Sequence, residues 1–504
     1  MILFLLVIAL VILSFIANYF HKYSLIFIII SAIIVLSCYF FIARYIHTPD
    51  SFIPAKQIQI YPLLGNYYNL LTESFKQGNM YIVDDTELQF LKDPNIYKTF
   101  PYYVNKNSNL IILQDLSYYN NKLYIYFGLT PLLLFYLPFN FVTNLFLSDN
   151  IVVLISSSYI FIISLFIIKN ISKKITKTKI PIFIKFLTII LVGFCNYSLF
   201  LLIRPHTYEV AISLAGSLLL SSIFLFNKYN SKKQTPLLFL IGLLLSLSVG
   251  CRPQYILFIP LFIAAIIYID SHNKINTKNI VLNNFIFLIP CLCYGVILGI
   301  YNILRFNSFF EFGFRYQLNS SKLSTWSFNF QDLFIGLKYY LFQYPILSSN
   351  FPIFSLAIPT GHSTGNELIV GIFYIFPMLL LLFFLPQIIN YCLKIKNKNT
   401  FVFFVISIII ILCNLFISSV FGMTQRYVFE IVYLGIIVAI LSFYYIYDKL
   451  SNNFYKNIAN LTFILLFVFS IYINFSLLFC NNNAAFYVFS NNAEIYKKVL
   501  SFLS

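Results

Sequence analysis

The chain has 504 residues, 60% of them hydrophobic and 10% charged, with a formal net charge of +17. That charged fraction is far below the roughly 25% of a soluble domain, which excludes a water-soluble globular protein. The positive charge does not indicate nucleic acid, because no basic patch interleaved with aromatic residues is present; the lysines line short connections between apolar runs.

Apolar runs are expected to span a membrane near residues 2–20, 25–46, 151–168, 182–203, 208–226, 236–251, 254–269, 280–303, 367–390, 401–421, 427–447 and 459–479. Runs such as Leu25 to Ile42, Ile151 to Ile168, Phe401 to Val420 and Leu461 to Phe479 are each long enough for a hydrocarbon core of about 30 Å. Without water to satisfy backbone groups they must be helical. The first run lacks the basic start and small-residue cleavage site of a signal peptide and reads as a retained span. Gly128 to Leu147 is also apolar, but Pro131 and Pro138 favour an interfacial or dipping helix, and counting it as a span would break the charge alternation. The expected fold is therefore an all-α polytopic membrane protein of about 12–13 helices. Its parts are N-terminal helices over 1–46, an acidic loop with interfacial helices over 47–150, a helix bundle over 151–303, a second loop over 304–366, C-terminal helices over 367–479 and a tail over 480–504.

One set of inter-span connections carries 17 lysines: Lys22, Lys169, Lys173, Lys174, Lys177, Lys179, Lys185, Lys228, Lys232, Lys233, Lys274, Lys278, Lys394, Lys396, Lys398, Lys449 and Lys456. The alternate set carries only Arg204, Arg252 and Arg426. The positive-inside rule makes the lysine set cytoplasmic and puts both large loops and the tail on the other side. The eight cysteines are scattered and give no disulfide or metal framework. His206 and His362 read as isolated histidines, not metal ligands.

Eight of the sixteen acids lie in the first loop: Asp50, Glu73, Asp84, Asp85, Glu87, Asp93, Asp115 and Asp149. Ordinary solvation and catalysis both account for such a group. Glu209, Glu367 and Glu430 stand at the same ends of their helices as Arg204, Arg252, Arg305 and Arg426. Ionisable groups at membrane level point to function, although arginines at helix ends also snorkel to headgroups. Arg252 and Arg426 occupy very short turns, GCRPQY and GMTQRY, each with an aromatic neighbour. Guanidinium groups bind phosphate bidentately, and a carboxylate can accept the proton of an attacking hydroxyl. Outside the cytoplasm no nucleotide-sugar pool is expected, so an enzyme there uses a lipid-linked phosphate donor.

The stretches YNLLTESFKQGNMYI, QDLSYYNNKLYIYFGLTPLLLFYLP, GLLLSLSVGCRPQYILFIP, YNILRFNSFFEFGFRYQL and GMTQRYVFE, in that order from about Tyr67 to Glu430, resemble bacterial membrane proteins grouped with glycosyltransferases of the GT-C fold. These are relatives of protein O-mannosyltransferases and aminoarabinose transferases. The resemblance implies a polyprenyl-phosphate sugar donor, an essential acid in the first extracytoplasmic loop, inverting transfer and a bacterial inner-membrane location. The acceptor would be a glycan, a lipid or a protein; no cofactor is expected and no metal motif is visible, relatives with monophosphate donors often working without a metal, so that metal dependence stays open. The family's usual acidic pair just past the first loop-facing span has no clear counterpart: Asp50 lies in TPDSFIP, and Asp84-Asp85 falls after the matching helix.

Asp115 is accordingly the first candidate base and Glu73 the second. A turn or N-cap role for Asp115 and a solvated helix position for Glu73 are the competing readings. Arg252, Arg426, Tyr427 and Arg305 are candidate donor-phosphate ligands. Tyr118, Tyr119, Tyr124, Glu311, Arg315 and Glu209 are candidates for substrate binding; Glu311 and Arg315, four apart, also fit a helical salt bridge. Two rival functions remain: a flippase or transporter for a lipid-linked glycan, disfavoured by the scarcity of mid-span charges, and a surface-polysaccharide polymerase.

Overall fold

The computed structural model describes residues 24–46, 67–84, 93, 95–97, 99, 115–230, 235–318, 328–347, 349, 353–362 and 367–478. The expected span 2–20, the acids Asp50, Asp85 and Glu87, and the tail from Cys480 lie outside the described residues.

Helix α1 (Ser24–Phe41) continues into a π-helical turn, Ile42–Ile46. The first loop contributes α2 (Tyr67–Lys76) and a small antiparallel sheet of β1 (Val83–Asp84), β2 (Leu116–Tyr119) and β3 (Lys122–Ile125) in the order β1-β3-β2. A π-helical turn, Leu132–Tyr136, then leads into α3 (Leu137–Thr143). Pro131 caps that turn and Pro138 sits in the first turn of α3, where a missing amide proton costs little. Asn144 closes α3 with a positive φ of 55°. Twelve helical residues, Leu132 to Thr143, reach only about 18 Å, too short to cross, and expose Leu134, Phe141 and Val142. The element expected from the two prolines is thus a short apolar helix and not a full span.

The bundle follows: α4 (Asp149–Ile175), α5 (Ile182–Phe194), α6 (Ser198–Ile203), α7 (Thr207–Phe226), α8 (Thr235–Val249), α9 (Phe258–His272) and α10 (Thr277–Phe306). After it come α11 (Phe330–Phe342), a two-stranded pair of β4 (Ile346–Leu347) with β5 (Phe354–Ser355), α12 (Ile372–Ile375), α13 (Leu385–Lys394), α14 (Lys398–Phe421), α15 (Val428–Lys449) and α16 (Asn453–Leu478). Among the described residues nine helices are long and apolar enough to cross a membrane, and three apolar helices are shorter. The chain is thus an all-α, multi-pass membrane protein. Helix α15 runs through the centre, with every side chain from Val428 to Tyr445 buried. Helices α10 and α16 expose apolar side chains instead, among them Phe285, Ile297, Leu461 and Leu465, as a lipid-facing surface requires.

Three expected spans differ in detail. The run 182–203 breaks at Cys195–Tyr197, where Tyr197 has a φ of +67°. The run 254–269 opens with a 3-10 turn, Pro253–Leu257, because Pro253 follows the turn directly. The run 367–390 becomes helical only at Ile372, and Pro377 diverts it into a 3-10 stretch to Phe384. The second loop also holds α11, whose Gly336 lies against the Ser419 backbone and whose Tyr340 hydroxyl donates to Gly422 O and Thr424 O at 3.1 Å each.

The connections segregate by charge in space. At the lysine-bearing end, Asp448 Oδ1 accepts from the amides of Lys177 and Thr178 at 2.8 and 2.6 Å, and Asn399 donates to Asn227 O and Tyr229 O at 3.2 and 2.7 Å. The other end carries the arginines and the loops. There Asn69 donates to Leu147 O at 2.8 Å, and Asn150 donates to Ala43 O at 3.0 Å, tying α2 and α4 to their neighbours.

The first loop docks on the bundle through two glycines. A Cβ on Gly128 would collide with the Gly250 carbonyl, so the strand leaving β3 touches the end of α8 backbone to backbone. Thr130 N donates to Gly250 O at 3.2 Å and Thr130 Oγ1 to Leu247 O at 2.8 Å. Gly128→Ala is expected to destabilise the protein by about 1–3 kcal/mol, seen as a lower thermal midpoint in detergent. Gly295→Ala has no atom near its added Cβ and should leave that midpoint unchanged or raise it.

Candidate functional site

Short turns place two arginines at the loop-bearing end. Arg252, just past α8, donates from Nε to Glu430 Oε1 and from Nη2 to Glu430 Oε2, both at 3.1 Å. Tyr255 OH adds a third bond to the same carboxylate at 3.1 Å, and the Glu430 side chain is 1% exposed. Arg426, in the turn between α14 and α15, faces Glu367 in a fork, Nη2 to Oε1 at 3.0 Å and Nη1 to Oε2 at 3.4 Å. Arg204 also reaches Glu367, at 3.9 Å, and lies 3.8 Å from Glu209. The Tyr427 ring is shared, 5.0 Å from the Arg252 guanidinium and 5.8 Å from that of Arg426. Glu209 is fully buried at the third position of α7, where its side chain receives the His206 amide in a capping box.

Asp115 stands at the hinge between the two loops. Its φ is +65°, the left-handed region that Asp tolerates better than most residues. Its amide donates to Leu318 O at 2.7 Å, and Leu318 N donates to Leu116 O at 2.9 Å, so the second loop extends the sheet beside β2. The carboxylate is held inside: the residue is 8% exposed, and Tyr208 OH donates to its Oδ2. The Tyr208 ring is edge-to-face on Phe127 at 4.7 Å and lies under the Arg426 guanidinium at 4.4 Å. A continuous chain therefore runs from Asp115 through Tyr208 to Arg426, Glu367 and Arg204. Beside it, burial pushes the Tyr126 phenol up to about 12, with Tyr427 and Asp115 adding to the rise and Arg252 opposing it.

Of the residues singled out in the sequence, Asp115, Arg252, Arg426, Tyr427 and Glu209 thus meet in one region. Arg305 is directed elsewhere, donating to Ile125 O at 2.7 Å and Asn302 Oδ1 at 2.8 Å and stacking 3.8 Å from the Tyr301 ring. Glu73 lies on the partly buried side of α2. The tyrosines divide by strand alternation. Tyr119 and Tyr124 pack on the second loop, Tyr119 at 4.7 Å from Tyr316 and Tyr124 at 5.3 Å from Phe306. Tyr118 points to the other face, its hydroxyl on Asn121 at 3.2 Å.

The helical salt bridge considered for Glu311 and Arg315 does not form. Gly313 between them has a φ of +91°, so no helix joins them; Glu311 accepts from the Gly313 amide at 2.7 Å, and Arg315 is exposed. His362 Nε2 bonds Ser419 O at 3.0 Å. Tyr208 escaped the sequence reading; its only signal is its place one residue before Glu209 at a helix start. Among the described residues no three His, Cys, Asp or Glu side chains converge on a point where an ion could sit.

Fold and site together define a multi-pass α-helical membrane protein with a polar, aromatic-lined centre where two loops meet one end of the bundle. No protein-family model matches the chain, and no curated protein does. Two solved structures of the Archaeoglobus fulgidus oligosaccharyltransferase are similar to it, one tethered with an acceptor peptide containing the NVT sequon, the other in complex with an inhibitory peptide and a dolichol-phosphate. Each aligns with 88% of this chain at 12% identity and a TM-score of 0.44. The chain spans about half the length of both, 54% and 55% respectively.

Proposed function

We propose that the chain is a membrane glycosyltransferase of the GT-C class, acting at the outer face of a bacterial inner membrane. It moves a sugar from a polyprenyl-phosphate donor to a hydroxyl of a glycan, lipid or protein. The observation that carries this reading is the buried Asp115 carboxylate linked through Tyr208 to a guanidinium. One short chain holds a proton acceptor at one end and a phosphate ligand at the other.

The acceptor hydroxyl gives its proton to Asp115 as its oxygen attacks the anomeric carbon. The bond from that carbon to the phosphate oxygen breaks with inversion, and the electron pair leaves on the polyprenyl phosphate. Arginine stabilises that growing charge.

The test is transfer of labelled sugar from a panel of polyprenyl-phosphate sugars in membranes containing the chain. Tyr208→Phe keeps the ring between Phe127 and Arg426 and removes the hydroxyl from Asp115. It is expected to slow transfer about tenfold, the order of one lost hydrogen bond to a charged group. An unchanged rate in Tyr208→Phe would detach Tyr208 from the chemistry.

A further inference from the structure

The two arginine–carboxylate forks at this end differ in a way that separates scaffold from site. Glu430 is 1% exposed, holds Arg252 bidentately, accepts Tyr255 as well, and its backbone carbonyl receives Asn414 at 3.0 Å. In that pair the carboxylate is closed off from solvent, and Arg252 keeps 15% exposure. Glu367 is 37% exposed at its side chain, whereas its partners Arg204 and Arg426 are 7% and 8% exposed. Its backbone is fixed, the amide donating to Met423 O at 2.9 Å, so only the side chain has to turn for it to leave.

We propose that the Arg204–Arg426 pair is an anion seat for the donor's phosphate and that Glu367 is a carboxylate latch occupying it in the empty protein. The proposal rests on the glycosyltransferase reading and assigns the phosphate to Arg204 and Arg426 in place of Arg252. Charge balance favours the exchange. With Glu367 in place, Arg204 and Arg426 are matched by Glu209 and Glu367. A sugar phosphodiester carries one negative charge, as Glu367 does, so replacing one by the other leaves the charge of the cluster unchanged. After transfer the lipid phosphate is a monoester with further charge, which two guanidiniums accommodate through parallel hydrogen bonds. Glu367 then competes for the arginines again and helps expel the product.

The test measures binding to the purified full chain in detergent with two probes, farnesyl phosphate and inorganic phosphate, and with farnesol as the uncharged control. Glu367→Gln is expected to bind farnesyl phosphate roughly three- to tenfold tighter than wild type, the scale of one partly exposed ion pair. Arg204→Gln should lose most of that binding, and farnesol should bind all variants alike. Equal tightening for inorganic phosphate assigns the seat to the phosphate group alone; tightening confined to farnesyl phosphate shows that the lipid chain is read too, and either result supports the latch. Unchanged or weaker phosphate binding in Glu367→Gln, with the protein monodisperse, overturns it. Should Glu367→Gln fail to fold, Glu367→Asp, which keeps the charge but shortens the reach to the arginines, must bind tighter for the latch to stand. Since binding is read without turnover, tighter binding in the absence of any transfer sinks the enzymatic reading alone, and transfer without tighter binding sinks the latch alone.

Discussion

Asp115→Asn is expected to lower sugar transfer by about 10² to 10⁴-fold, the range a positioned general base contributes, while the protein accumulates in membranes at the wild-type level. Asparagine tolerates the left-handed conformation that residue 115 adopts at φ +65°. It also leaves intact the backbone bond to Leu318 O and offers an oxygen to the Tyr208 hydroxyl. Only the capacity to take a proton is removed. The check is the initial rate in membranes with matched protein amounts, with Glu73→Gln beside it. If Glu73→Gln abolishes transfer and Asp115→Asn does not, the base lies on α2 and Asp115 is a turn residue.

The second large effect is on stability. Glu430→Gln leaves Arg252 facing a neutral amide in a nearly closed pocket, and breaking a buried pair this way costs about 3–5 kcal/mol. Arg252 retains 15% exposure, which places the expected loss at the lower end of that range. The thermal midpoint of the detergent-solubilised protein should drop sharply. In the double variant Arg252→Met with Glu430→Leu, which removes both charges, much of the loss should return, because the desolvation cost disappears with the attraction. A Glu430→Gln protein as stable as wild type would show that this pair contributes little to the fold.

The membrane character was legible because it depends on composition and run length alone, and the lysine alternation gave the two ends of the bundle from charge. The short apolar element was legible from Pro131 and Pro138, although neither breaks it: the helix runs on through Pro138, with the π-helical turn Leu132–Tyr136 immediately before that proline. The interruption at Cys195–Tyr197 was not, since nothing local in FCNYS marks the positive φ of Tyr197, and tertiary packing decides it. Helix α11 was hidden within a run too polar to be a span, and it gains its stability from seating Gly336 and Tyr340 against the end of α14.

In the site, charge and position pointed to Asp115, Arg252 and Arg426, but partner choice was beyond linear reading. Glu430 lies 178 residues from Arg252, and Glu367 lies 59 from Arg426. Arg305 has the composition of a phosphate ligand and is taken up by a loop carbonyl, a distinction only the folded backbone makes. Tyr208 is one of many tyrosines until the hinge brings Asp115 to its hydroxyl.

Consumption of a lipid-linked sugar is measured with purified protein reconstituted in vesicles holding a labelled polyprenyl-phosphate sugar and an acceptor. Free polyprenyl phosphate is expected to appear in step with glycosylated acceptor, and both are expected to vanish in Asp115→Asn. Movement of the intact labelled lipid between leaflets, with no donor cleaved under any acceptor tried, would contradict this expectation and make the chain a transporter of the same lipid.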